Sequence, residues 1–188
     1  MIWNDHSNLE GTHAFLGASQ HAWLNYDPEK LKMMYKSAKA KEYGTELHHR
    51  AECLITWRQK VPRQHITFNM FVNDAIGYDM DAEVILFYSF NCYGTADAIK
   101  YDEKKKTLRI HDLKTGKTPA SMKQLEIYTA LFCLEYKVQP DELNNIELRI
   151  YQNDEVFIEN PDADLIKFIM GKIIEFDYLI EEVSSEHY

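Results

Sequence analysis

Cysteine is scarce in this chain of 188 residues: Cys53, Cys92 and Cys133 stand about 40 residues apart, in no C-x-x-C spacing. An odd, dispersed set argues against a disulfide framework, a zinc ribbon or an iron–sulfur cluster. It points to a reducing, cytoplasmic compartment. Long apolar runs are missing too. The longest apolar stretch without a charge lies near residues 84–93, far short of the ~20 residues that a membrane span needs. No basic region followed by an apolar core opens the chain, so no secretory signal is expected. No G-x-x-x-x-G-K-[ST] phosphate loop occurs, and Gly116-Lys117-Thr118 mimics only its end. H-E-x-x-H and G-x-S-x-G are likewise absent, which leaves zincin and serine-hydrolase chemistry with little support. Internal repeats and low-complexity segments are absent as well.

Hydrophobic residues make up 45% of the chain, aromatics 13% and charged residues 27%. That composition excludes bulk disorder and predicts one globular domain over residues 1–188. The net charge of −9 first argues against a nucleic-acid partner, but its distribution does not. Residues 36–65 carry seven basic and three acidic side chains. Residues 100–123 carry eight and three, whereas residues 141–188 carry three and thirteen. Two basic blocks and an acidic C-terminal region fit a local phosphate-binding surface with a solubilising far side, or equally two solvated faces without a partner.

Ser19 is placed to cap a short helix through Trp23 and Leu24. Asp27-Pro28 reads as an N-cap followed by proline at the first helical position. Leu31, Met34, Tyr35 and Ala38 follow at helical spacing. Gly44-Thr45 is expected to interrupt or restart that helix, and Leu47, Ala51, Leu54 and Ile55 continue it to about Gln59. Residues 66–81 fit a strand or a short helix. Residues 83–90 predict a buried strand, and 92–101 and 107–113 predict two more, joined by a charged hairpin tip at 102–106. A loop over 115–119 precedes a helix capped by Ser121. Residues 146–152 and 155–159 predict a strand pair turning at Asn153-Asp154. Pro161 is expected to open a final helix with an apolar stripe of Ile166, Ile169, Ile173, Phe176 and Ile180. The order predicts an α/β fold, a central mixed sheet flanked by helices.

The informative stretch is Gly94-Thr95-Ala96-Asp97, followed by Ile110-His111-Asp112-Leu113-Lys114. Asp97 and Asp112 fall on the two strands of the predicted hairpin, where pairing brings such residues side by side. Asp112 and Lys114, two apart on one strand, point to one face. Two carboxylates can hold Mg²⁺ or Mn²⁺. A cation there polarises a phosphoryl oxygen, and the lysine can orient water or offset charge on phosphate. A D-x-K sequence alone is as readily a surface ion pair worth ~0–1 kcal/mol. His48 stands at a helix start upstream, offering a further ligand, and His49 points to another helix face. Gln124 and Tyr128, four apart, share a face of the helix after the hairpin. Cys133 lies on an apolar helix and reads as a core residue.

Gly44…His48, Gly94-x-x-Asp97, Asp112-x-Lys114 and Gln124-x-x-x-Tyr128 follow one another in an order that resembles the RecB-like branch of the PD-(D/E)XK nuclease superfamily. Residues 16–24, with Ser19 and Trp23-Leu24, look like that family's serine-led N-terminal helix. The resemblance covers roughly Ser19 to Tyr136. It implies a restriction-endonuclease-like core and a metal-dependent deoxyribonuclease, an exonuclease more than an endonuclease, in phage recombination, replication or repair. Mg²⁺ or Mn²⁺ would be held by His48, Asp97, Asp112 and the backbone carbonyl of Leu113. Lys114 would be the catalytic lysine, and Gln124 and Tyr128 would support the site and touch the DNA backbone, joined there by Lys117 and Lys123. The implied partners are DNA and a recombination or single-strand-binding protein, with an oligomer allowed and no membrane. The implied setting is the cytoplasm of a bacterium or a phage-infected cell. Ala96 stands where the superfamily's nominal proline falls, which the RecB branch tolerates. No iron–sulfur cluster is expected. The alternative is a DNA- or protein-binding module that keeps the fold without cleaving.

Overall fold

The computed structural model describes Ser7, Gly11 and residues 13–185. Two compact units divide the chain, Met1–Tyr43 and Gly44–Tyr188. In the first, Ala18–Asn25 is a 3-10 segment with a break at Gln20, and Trp23 Nε1 donates to the Gly17 carbonyl at 3.0 Å. The Phe15 and Tyr35 rings meet edge to face at 5.1 Å.

Helix α1 spans Pro28–Thr56. Asp27 caps it as expected, its carboxylate accepting the Lys30 amide at 2.7 Å. Gly44-Thr45 does not interrupt α1, a correction to the sequence reading. Gly44 is buried, and a Cβ there would lie 2.7 Å from Thr115 Oγ1. The glycine serves close approach rather than helix termination.

In the second unit follow α2 (Thr67–Gly77), β1 (Asp81–Ser89), β2 (Cys92–Asp102), β3 (Thr107–Leu113), α3 (Lys123–Tyr136), β4 (Asn145–Gln152), β5 (Glu155–Glu159) and α4 (Ala163–Ser185). They form an α/β domain around one five-stranded mixed sheet in the order β1-β2-β3-β4-β5. Only β3 and β4 are parallel, and α3 makes the crossover between them. Leu108, Ile110, Leu148 and Ile150 pack with Leu125, Leu131 and Phe132 of α3 and with Ile166 of α4. Leu113 and Tyr151 pack with Ala51 and Ile55 of α1 and with Phe71, Val72 and Ala75 of α2. Helices therefore cover both faces, as period-2 alternation along the central strands requires.

The β1 expectation needs correction. It is an edge strand: Leu86 is buried, whereas Ile85 is 61% and Phe87 39% exposed. A continuous apolar run does not distinguish a central strand from an edge strand with one covered face. Within residues 66–81, ambiguous between strand and helix, Thr67–Gly77 forms α2. The last helix begins at Ala163, not Pro161, with the Asp162 carboxylate capping the Leu165 amide at 2.8 Å. Its stripe divides. Ile166 is buried and Ile169 and Ile173 join the core, but Phe176 and Ile180 are exposed. Among the described residues no helix is long and apolar enough to cross a membrane.

Candidate active site

Strand β3 carries the site. Its alternation puts Asp112 on the face of Leu108 and Ile110, and His111 on the other. Registered pairing of β2 with β3 runs from Asp102–Thr107 to Ala98–His111, which leaves Asp97 and Asp112 at the next position. There a side chain takes over from the ladder: Asp97 Oδ2 accepts the Leu113 amide at 2.7 Å. The other oxygen, Oδ1, lies 3.4 Å from Nδ1 of His48, which α1 delivers. Asp97 thus ties two strands and a helix together.

Beyond β3, the Lys114 amide donates to the Tyr151 carbonyl at 2.9 Å, so its backbone stays anchored to β4. Its Nζ lies 3.0 Å from both oxygens of Asp112. It hydrogen-bonds Oδ1 and forms an ion pair with the buried Oδ2. The same Nζ donates to Gln124 Oε1 at 2.8 Å, and Gln124 Nε2 donates to the Tyr128 hydroxyl at 2.8 Å. The relay Tyr128–Gln124–Lys114–Asp112 spans α3 and β3. Gly94 makes room for it, since a Cβ there would sit 2.7 Å from Tyr128 Cε1.

Electrostatics at this point are strained by crowded carboxylates. Burial, reinforced by the Asp97 charge, pushes the Asp112 carboxyl up to about 6, against the pull of Lys114. The hydrogen bond to Asp97 raises the His48 imidazole above its ordinary value, although burial opposes it. Glu83, which no sequence motif singled out, joins the group: one ligand atom each from His48, Glu83 and Asp97 lie within 4.8 Å of one another. Burial, then the Asp97 charge, raises its carboxyl.

The structure brings His48, Asp97, Asp112, Lys114, Gln124 and Tyr128 together. Leu113 is buried and offers Asp97 its amide. Lys117 and Lys123 are exposed, one in the 114–122 connection and one at the start of α3, where Lys123 lines a groove with residues of α4. The buried Gln152 pins that connection, donating to the carbonyls of Gly116 and Thr118 and accepting the Ala120 amide. Behind β3, His111 is wholly buried, edge-on to Tyr78, with Nδ1 3.3 Å from the Tyr151 hydroxyl. Tyr151 in turn donates to Asp74 of α2 at 2.7 Å. Sequence reasoning did not find this supporting network, because its members come from three elements with no shared spacing.

Oxygen donors and an imidazole converge here. That donor set fits Mg²⁺ or Mn²⁺. Cys133 is buried, and burial pushes its thiol up to about 12, which suits a core residue rather than a nucleophile. Comparison with protein-family models, with curated proteins and with solved structures finds no match.

Proposed function

We propose that this protein is a divalent-metal-dependent nuclease that hydrolyses DNA phosphodiester bonds, related to the RecB-like branch of the PD-(D/E)XK superfamily. One observation carries the reading: side chains from four short motifs, spread from residue 48 to residue 128, meet in one contiguous polar array. An inert surface ion pair between Asp112 and Lys114 requires neither Gln124 nor Tyr128.

His48, Asp97, Asp112 and the carbonyl of Leu113 are the residues that would hold the cation. When bound, it supplies Lewis-acid polarisation of a phosphoryl oxygen and a lower pKa for water. Lys114 binds and orients: its ammonium, held between Asp112 and Gln124, is placed to direct the attacking water and to offset charge on the phosphate. Gln124 fixes the Lys114 rotamer, and Tyr128 fixes Gln124. Lys117 and Lys123 extend positive charge along the path of the DNA backbone. Exonuclease action in phage recombination, replication or repair follows from the family resemblance.

Linear and circular duplex DNA incubated with Mg²⁺, Mn²⁺ or EDTA tests the reading. Loss of linear DNA alone, dependent on the metal, is the expected result. Nicking of circles would assign an endonuclease instead, and intact DNA in every condition rejects the nuclease reading in favour of a binding module.

A further inference from the structure

Glu83 has no place in the sequence motifs, yet the sheet aims it at them. Pairing of β1 with β2 runs Ala82–Ala98 and Val84–Ala96, so Glu83 falls opposite Asp97. Its φ of 51° lies in the left-handed region, where a glutamate inside a strand is strained. Among the described residues no lysine or arginine forms an ion pair with Glu83 or with Asp97, and the His48 imidazole beside Asp97 is charged only when protonated. Two carboxylates and an imidazole therefore face one another within 4.8 Å. Asp112 lies close enough to feel the charges of both Asp97 and His48. Six-coordinate bonds of about 2.1 Å place neighbouring ligand atoms roughly 3–4 Å apart, a spacing that small side-chain rotations reach from here.

We propose that Glu83 is a ligand to the divalent cation, closing a His48–Glu83–Asp97 triad on the side of the site away from Lys114. The proposal rests on the metal-dependent reading above and adds a ligand from the edge strand. Nothing else on β1 offers Asp97 a compensating charge, and a cation shared by Glu83 and Asp97 turns their repulsion into coordination. The unusual backbone at Glu83 is then the means by which an edge strand delivers a carboxylate to its neighbour's carboxylate.

Calorimetric titration of the full chain with Mn²⁺, paired with thermal unfolding in EDTA, tests this without relying on activity. Glu83→Gln is expected to weaken Mn²⁺ binding roughly tenfold or more, since even partners of metal ligands cost 10–100-fold. In EDTA the same variant should melt at or above the wild-type temperature, because it removes a carboxylate from beside Asp97. Glu103→Gln, on the exposed hairpin tip, should change neither. Mn²⁺ affinity of Glu83→Gln within twofold of a wild type that does bind would overturn the Glu83 assignment and leave the metal-dependent reading standing. A lower melting temperature or loss of folding in EDTA would assign Glu83 a structural role and overturn the proposal. A wild type that binds no Mn²⁺ would overturn both.

Discussion

Lys114 has little freedom. Its Nζ is 3.0 Å from the Asp112 carboxylate and 2.8 Å from Gln124, and its amide is bonded to β4. Under the proposed nuclease function, a side chain held this way would add catalysis by being in place before the charge develops. Lys114→Ala is expected to slow the chemical step about 10²-fold or more. DNA affinity in Ca²⁺ should hardly move, because one phosphate contact is a small share of a larger footprint. Single-turnover cleavage at saturating metal measures the first and a binding titration the second. A rate within about threefold of wild type, roughly 0.7 kcal/mol, removes Lys114 from the chemistry.

At the scale of elements, the site depends on how closely α3 approaches β2. The Tyr128 ring occupies the space over Gly94. Gly94→Ala should displace the ring and loosen the Tyr128–Gln124–Lys114 relay, with a stability loss of roughly 1–3 kcal/mol from overpacking. Gly94→Ala with Tyr128→Ala should lose less than the two single losses combined, since the methyl then meets no ring. Denaturant unfolding of the four proteins decides it, and strict additivity would rule out the contact as the reason for the glycine. The β2–β3 hairpin makes a second prediction. Its tip, with Lys104, Lys105 and Lys106, is five residues along each strand from Asp97 and Asp112, or about 17 Å at strand rise. Asp102 already receives the Lys104 and Lys105 amides there. Reversing all three lysine charges should therefore leave cleavage within about threefold of wild type. A steep loss, together with a shallower salt dependence of DNA binding, would put the tip in the DNA footprint.

For the whole α/β domain, the crowded carboxylates make stability depend on pH, and under the proposed metal binding on the cation as well. Asp112 titrates at about 6 in the folded protein, above its ordinary 3.8. The folded state is then the better proton binder. The contribution of the protonated group is present below about pH 4 and is lost as pH rises through about 6. His48, also raised, acts in the same direction, its share being lost above its ordinary 6.5. Ionising the buried Asp112 costs on the order of 3 kcal/mol. The metal-free protein should accordingly melt several degrees lower at pH 7.5 than at pH 5. Mn²⁺ requires the deprotonated ligands, so its stabilising effect should grow over the same interval. Melting curves at both pH values, with Mn²⁺ and with EDTA, test this. Asp112→Asn should flatten the metal-free dependence, and an unchanged slope in that variant would place the titration elsewhere.

Much of this protein was legible without coordinates. The β2–β3 hairpin, the β4–β5 pair, the cap at Asp27 and the α/β class follow from alternation, turn residues and capping, all of which act within a few residues. Asp112 and Lys114 share a face by strand period, and Gln124 and Tyr128 by helical period. Tertiary structure decided what no local rule reaches. The edge position of β1 depends on which strands pair, and the close approach of Thr115 to Gly44 accounts for a glycine inside a continuous α1. Glu83 entered the site because a strained backbone on one strand faces Asp97 on the next. The network behind His111 formed because α2 packs where Tyr151 and Arg149 can reach Asp74. Periodicity specifies which way a side chain points along its own element, whereas the identity of what it meets is set by long-range packing between elements.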